Sequence, residues 1–523
     1  MTSSRSNYDV LVIGSGISGL AAAIAAAENG LAVGVVTKSP EISQTNTYYA
    51  QGGIVGQSPD DSPELLYQDI VKAGDSINFV PAVELIAREG PGIVKEYLID
   101  KAGIPFAKDD SKEYDLTMEG AHSIRRILHV KDNTGKAIMK GLLNYVESLK
   151  GIHFFSGHAA VEIITNSHNS TDSQERYKKT RAIGAYILDE SNGRIEPVFA
   201  SAVVLATGGA GNLYLYTSNP HGATGDGIAM AYRTGCEIVN SEFVQFHPTI
   251  LFHRDNKRFL ISEALRGEGA RLMNHSGEYF MKKYHPDMKD LAPRDEVARA
   301  IYRELDEEGS DYVYLDTRCI KNVSPKERFP GIYEQCLKLG IDIENEPIPV
   351  VPAAHYFCGG IKVDLFGQTS VSGLYSVGEC SCTGVHGANR LASVSLLEAL
   401  VFGIRAGRHI SRNKIDPSAA LINSVPEWIY PKKEEDFDKM LIHHDLQNIR
   451  TTMWNYVGII RTKKRLDRAL SDLNYFNHRI ERFYKEAKVS KQIIELRNAV
   501  LSGTLVARAA VSNSMSVGCH YVE

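Results

Sequence analysis

The residues of this chain that could handle a carboxylate-bearing molecule are spread over separate blocks: His247 in FVQFHPT, Ser262, Glu263 and Arg266 in SEALRGEGARL, Arg294 in APRDEVARA, His355 in VPAAHYFCGGI and Arg390 in HGANRLAS. Arginine offers a planar fork of donors that matches a carboxylate, where lysine offers a point charge. Glu263 and Arg266 stand three residues apart, which puts them on one face if the segment is helical. Taken singly, each is more often a satisfied surface or core group than a ligand, and His247 and His355 then read as structural. His443, His444 and Asp445 read as a solvated helix face, because adjacent helical residues point in different directions. Cys380 and Cys382 could be redox active only if spaced to form a disulfide.

A second chemistry lies at the N-terminus. Gly14, Ser15, Gly16, Ile17, Ser18 and Gly19 form a G-x-G-x-x-G turn between an apolar run at residues 8–13 and an Ala-rich run at 20–29. In that setting backbone N–H groups and a helix start can meet a pyrophosphate, and a Cβ would block the approach. A strand at 32–37 completes a βαβ unit. The acid that such a unit usually carries at the end of its second strand is replaced by Thr37 and Lys38. This makes ordinary NAD binding less attractive and leaves FAD open.

Further along, the polar stretch 166–179 between apolar runs at 159–164 and 182–188 reads as a hairpin tip. A strand at 202–206 runs into ATGGAGN, and a strand-turn-helix pattern returns from Gly373. Between them the pattern is mixed, with a helix over 294–305. After Pro426 the sequence is charged and helix-forming, with helical spacing of apolar residues over 445–485. The expected domains are 1–241 and 357–425 for a nucleotide-binding domain, 242–356 for an inserted cap and 426–523 for a helical domain.

Several separated blocks, in order, resemble one family. TNTYYAQGGI (45–54), ATGGAG (206–211), TGDGIAMA (224–231) and GLYSVGE (373–379), with the glycine turn, are similar to segments of the succinate dehydrogenase and fumarate reductase flavoproteins, a family that includes the L-aspartate oxidases. The resemblance covers nearly the whole chain. It implies an α/β fold: an FAD-binding Rossmann-like domain, an inserted α+β capping domain and a C-terminal helical bundle. It assigns FAD contacts to the glycine turn and to Lys38, Asn46, Thr47, Tyr48, Tyr49, Ala50, Gln51, Gly52, Gly53, Val161, Asp226, Glu379, Ser395 and Leu396. Respiratory members bond FAD covalently through a histidine at the position of Asn46; an amide cannot do so, and a noncovalent FAD is expected. Glu379 would suit ribose or ribityl hydroxyls, and the helix starting near Ser395 could set its dipole against the flavin.

Oxidation beside a carboxylate requires cationic clamps, a proton acceptor and a flavin to take hydride. The resemblance assigns proton transfer to Arg294, a relay to solvent to Glu263 and then Arg266, and carboxylate binding to His247, Ser262, His355 and Arg390. Glu119, in LTMEGAHSIRRILHVKDNTG (116–135), lies in a block closer to the L-aspartate oxidases than to the respiratory subunits, and is placed against a substrate ammonium. Its plain alternative is a loop carboxylate paired with Arg125 or Arg126. The implied reaction is FAD-dependent oxidation of L-aspartate to iminoaspartate, with O2 or fumarate as electron acceptor, as the first step of de novo NAD biosynthesis. Quinolinate synthase is the implied recipient of the product. The alternatives are a soluble fumarate reductase or succinate dehydrogenase flavoprotein and, outside enzymes, a flavin-binding assembly or sensor protein. The tail SVGCHYVE departs from the family's usual arginine at Val517.

Composition agrees with an ordinary globular protein. A chain of 523 residues holds two or three domains. With 43% hydrophobic and 23% charged residues and a net charge of -5, it lacks the basic surplus that nucleic acid or an anionic membrane attracts. The apolar stretch at 19–27 is stopped by Glu28, well short of the ~20 residues of a membrane span, and the N-terminus lacks signal-peptide features. Seven scattered cysteines without metal-site spacing fit a reducing, cytoplasmic setting and no metal.

Overall fold

The structure is a computed structural model and describes residues 7–256, 258–321, 323–431 and 438–523. Residues 1–6, part of the stretch read for a signal peptide, and 432–437, within the expected helical domain, lie outside these. Strand β1 (Asn7–Ile13), helix α1 (Ile17–Ala27) and strand β2 (Val33–Thr37) form the expected unit, with β1 and β2 parallel. Val10, Leu11 and Val12 are fully buried, as a two-sided parallel strand demands. The helix begins inside the glycine turn rather than at Leu20, because extended Gly16 already serves as its N-cap.

Strands β3 (Ile152–Ser156), β4 (His158–Thr165), β5 (Ala182–Asp189) and β6 (Arg194–Leu205) follow, then helix α2 (Asp226–Arg233). The polar tip joins antiparallel β4 and β5, although it folds into two short helical turns. Strand β6 is much longer than the expected 202–206. Its first half pairs antiparallel with β5 and its second half parallel with β1, and Glu196 and Pro197 hide the first half from a search for apolar runs.

The inserted segment contributes strand β7 (Val244–Leu251), helix α3 (Glu263–Gly267), strand β8 (Arg271–Met273), helix α4 (Arg294–Glu308) and strands β9 (Val313–Asp316) and β10 (Ile348–Phe357). Its strands form an antiparallel sheet in the order β7-β10-β9-β8. The chain leaves and returns side by side, since Ile238–Val239 pairs with residues of Gly360–Lys362. Strand β11 (Leu374–Ser376) then lies parallel to β6 and completes a seven-stranded sheet of order β3-β2-β1-β6-β5-β4, with β11 off that path.

Helix α5 (Val394–Asn413) crosses α1 so closely that a Cβ on Gly407 would fall 2.5 Å from the Ala22 carbonyl oxygen. The Ala-rich face of α1 makes that contact possible. Helices α6 (Lys439–Tyr456), α7 (Lys463–Glu486) and α8 (Lys491–Ser512) close the chain. Helix α7 buries Leu466, Ala469, Leu473 and Ile480 along one stripe. His443 and His444 are exposed on α6, and Asp445 pairs with Arg479 of α7. Cys380 bonds the Leu205 carbonyl, and all seven cysteines are free thiols. Among the described residues no helix is long and apolar enough to cross a membrane.

Candidate active site

One cavity of about 710 Å³ runs from the glycine turn, past the ends of β1 and β2, to the inserted segment. At the turn, Gly14 has φ +118°, and a Cβ there would lie 2.0 Å from the Ala206 carbonyl oxygen. Gly16 caps α1 without any side-chain hydrogen bond, so first-turn N–H groups remain for an anion. Thr47 takes one of them, the Ile17 N–H, at 3.2 Å. Gly19 stands off the cavity wall and supports the turn, since its Cβ would meet the Gly14 carbonyl oxygen at 2.1 Å. Tyr48 turns toward the core, and the side chain of Val161 packs with Ile183 and Phe199 while Ala159 and Ala160 line the cavity. The other residues expected to touch a cofactor all line it.

Glu379 lies midway along the wall. It accepts from Asn46 Nδ2 at 2.8 Å and from the Phe357 N–H at 3.1 Å. Burial pushes its carboxyl up to about 7 against those donors. Gln51, also in the wall, keeps a buried Oε1 with no partner among the described residues. Helix α5 lines the same space with Ser395 and Leu396 of its first turn and Ala399 of its second. A glycine cradle at a helix start, a buried carboxylate for hydroxyl donors and an unpartnered amide acceptor fit a flavin dinucleotide.

At the other end, β7 carries His247, β10 carries His355, α3 begins with Glu263, and α4 begins with Arg294. Arg294 Nε donates to Glu263 Oε2 at 2.6 Å, and Arg266 Nη2 stands 3.9 Å from the same oxygen. Burial alone would raise the Glu263 carboxyl; the two guanidinium groups outweigh it and hold the pKa below the ordinary value. Helix α3 is helical as the three-residue spacing required. However, Arg266 is only 2% exposed and bonds the Asp290 carbonyl, so the last step of the expected relay does not pass from its side chain straight to solvent.

Arg390 is buried beneath the site. It donates through Nη1 to Ser395 Oγ at 2.6 Å, and its guanidinium lies 4.6 Å from the Tyr356 ring centre. Burial first, and Arg294 or Arg390 second, depress both His247 and His355 well below the usual imidazole range. Both are therefore neutral hydrogen-bonding groups, not cations. His247 Nδ1 accepts the Thr249 N–H at 3.2 Å, which assigns the proton to Nε2. Ser262 caps α3 and lines the cavity.

Glu119 lines the cavity too, with Ser393 Oγ donating to its Oε2 at 2.6 Å. It does not form the alternative pair: Arg126 is engaged by Asp61 at 3.1 Å and Asp69 at 3.0 Å, while Arg125 bonds the Leu116 carbonyl. The loop lies tight against the site. A Cβ on Gly120 would fall 2.3 Å from Glu263 Oε1, and one on Gly52 2.5 Å from Glu119 Oε1.

Sequence reasoning passed over Gln245. Its Oε1 receives Arg390 Nη2 at 3.1 Å and Arg294 Nη1 at 3.5 Å, bridging the two guanidinium groups. The signal was there, since Gln245 lies two residues before His247 in a strand. Tyr356 follows His355 directly, but nothing local announced that its ring would underlie Arg390.

Comparison with known proteins agrees with this geometry. The FAD binding domain family matches residues 9–396, and the fumarate reductase flavoprotein C-terminal family matches 446–523. An L-aspartate oxidase of Pseudomonas aeruginosa is 44% identical over 98% of this chain and 95% of its own length. The chloroplastic L-aspartate oxidase of rice, Oryza sativa, is 39% identical over 99% of the chain and 81% of its own length. A quinol fumarate reductase of E. coli superposes with a TM-score of 0.87 at 28% identity, over 99% of this chain and 91% of its own. The cradle is thus an FAD site, and the chain belongs, together with the L-aspartate oxidases, to the flavoprotein family of fumarate reductase and succinate dehydrogenase.

Proposed function

We propose that this chain oxidises L-aspartate to iminoaspartate using noncovalently held FAD. The observation that carries the reading is the presence of Glu119 in the same cavity wall as Arg294, Glu263 and Arg390. At this end of the cavity the guanidiniums of Arg294 and Arg390, with Arg266 behind Glu263, stand with the carboxylates of Glu263 and Glu119. That leaves one positive charge, and L-aspartate, with two carboxylates and one ammonium, brings one negative. Succinate, carrying two, matches the set less well.

Arg390 and the neutral Nε2–H of His247 bind and orient the carboxylates, with Ser262 and His355 completing the grip. Gln245 holds the two arginine forks apart and aligned. Guanidinium is almost never deprotonated, so Arg294 acts as a shuttle. It gives one proton to Glu263, its partner at 2.6 Å, and takes one from the substrate, so the guanidinium is restored and the proton rests on Glu263. Glu119 receives the ammonium and so sets which way round the diacid sits. When bound, FAD supplies the hydride acceptor. O2 or fumarate would be the final electron acceptor, and quinolinate synthase would take the unstable imine toward NAD. The free thiols support a cytoplasmic setting.

Anaerobic mixing of the holoenzyme with L-aspartate and with succinate tests the reading. Bleaching of the flavin by L-aspartate is expected. Bleaching by succinate alone would make the chain a soluble succinate dehydrogenase or fumarate reductase, and bleaching by neither would remove the catalytic reading.

A further inference from the structure

A dinucleotide fold of this type places an acid at the end of its second strand to hold the ribose of the nucleoside half. Here β2 ends in Thr37 and is followed by Lys38. Lys38 Nζ is held by Asp226 Oδ2 at 2.6 Å and by Glu495 Oε1 at 2.8 Å. Asp226 opens α2, whereas Glu495 comes from α8 at the far end of the chain.

One stripe of α8 makes three such contacts, spaced i, i+3 and i+7 as one helical face requires. Glu495 meets Lys38, Asn498 Nδ2 donates to Asp226 Oδ1 at 3.0 Å, and Ser502 Oγ donates to the Gly225 carbonyl at 3.0 Å. One turn earlier, Lys491 Nζ donates to the Lys38 carbonyl at 3.0 Å and pairs with Glu190 at 3.4 Å. Lys491, Ile494 and Glu495 all form part of the cavity wall.

The charges decide the ligand class. Lys38 Nζ takes one oxygen from each of Asp226 and Glu495, Lys491 is taken up by Glu190 at 3.4 Å and Arg450 interacts with Glu495 from further off, so the Glu495 carboxylate keeps acceptor sites that a single ammonium does not fill. Those sites suit hydroxyl donors, and a phosphate placed there would meet two carboxylates, while the phosphate-binding groups lie at the start of α1. The acid missing from the end of β2 is thus restored in space by Asp226 and Glu495. We infer that Glu495 is a cofactor-binding residue that accepts from the ribose hydroxyls of the adenosine half of FAD, so that helix α8 completes the dinucleotide site. This rests on the FAD-binding family and not on the aspartate reading.

The full-length apoprotein provides the test. FAD binding is followed by quenching of flavin fluorescence, and ADP binding by displacement of FAD. Glu495→Gln is expected to raise the Kd of both FAD and ADP about tenfold or more, the weight of a charge-assisted hydrogen bond, and Glu495→Asp to recover part of the loss. An unchanged Kd for FAD overturns the inference, as does weaker FAD binding with ADP binding intact. The wild-type apoprotein gives a check that no folding defect can disturb. ADP should displace FAD at least about tenfold better than ADP bearing a 2′-phosphate, because an added anion meets two carboxylates; equal displacement overturns the inference.

Discussion

The two ends of the cavity use the same device with opposite sign. At the glycine-turn end a cation, Lys38, is flanked by the carboxylates of Asp226 and Glu495. At the other end a carboxylate, Glu263, is flanked by the guanidiniums of Arg294 and Arg266, with Arg390 beyond. Each central ion is satisfied, and what remains is the surplus of its flanking pair: acceptors for hydroxyls at one end, donors for carboxylates at the other. Burial sharpens the contrast, because charges in a closed cavity are poorly screened. Ligand choice is then read from the excess charge, not from any single residue.

The largest break in this comparison should come from Arg294. Arg294→Lys keeps the charge but loses the fork through which a proton passes to Glu263, and turnover should fall by about 100-fold or more with the flavin spectrum and FAD affinity retained. Turnover equal to wild type would remove Arg294 from proton transfer. Arg390→Leu removes a carboxylate clamp and leaves Gln245 with one guanidinium fewer, so KM for L-aspartate should rise about 10- to 100-fold, a charged hydrogen bond or two. Steady-state kinetics over a wide substrate range separates this from a fall in kcat alone, which would place Arg390 elsewhere in the cycle.

Glu119→Gln sharpens the comparison further. It removes the one negative group proposed to meet the ammonium, and aspartate oxidation should drop about tenfold while fumarate reduction by the reduced enzyme holds. Equal loss of both activities would make Glu119 a support for the Gly52 and Gly120 loops instead.

The smallest effect concerns Glu379, midway between the two ends. Its carboxyl stands at about 7, above the ~4.3 of a free glutamate, so the folded apoprotein binds more protons than the unfolded chain between these values. Stability therefore falls as pH rises through that window and levels off above it. Glu379→Gln cannot ionise, and its melting temperature should gain on wild type by a few degrees between about pH 5 and pH 8. Parallel melting curves across that range would mean that Glu379 ionises as a free glutamate does.

The βαβ start, the hairpin around the polar tip and the amphipathic helices were legible because each rests on local rules: two-sided burial of a strand, a glycine turn, a 3.6-residue stripe. The first half of β6 was not, since its partner β5 lends it a strand conformation that Glu196 and Pro197 do not advertise. In the candidate site, His247, Glu263, Arg294, His355 and Arg390 were found because their blocks together resemble the family's substrate site, and the structure brings all five to one cavity. Arg266 was placed on the correct helix face, but its burial behind Glu263 depends on how α3 packs, which spacing does not specify. Val161 lies in a strand beside the cavity, and which way its side chain turned was a matter of register.

By itself the chain's order of residues determined that a phosphate-binding turn exists, that guanidiniums and carboxylates are available, and that the helical segment has one apolar face. These are properties of neighbours within a turn or a strand. Only the tertiary structure decided that Gln245 spans two arginines, that both histidines are neutral, and that Glu495 closes the far corner against Lys38. Desolvation and ion pairing depend on which distant segments share a closed space, and that sharing arises when sheet, inserted segment and C-terminal helices pack together.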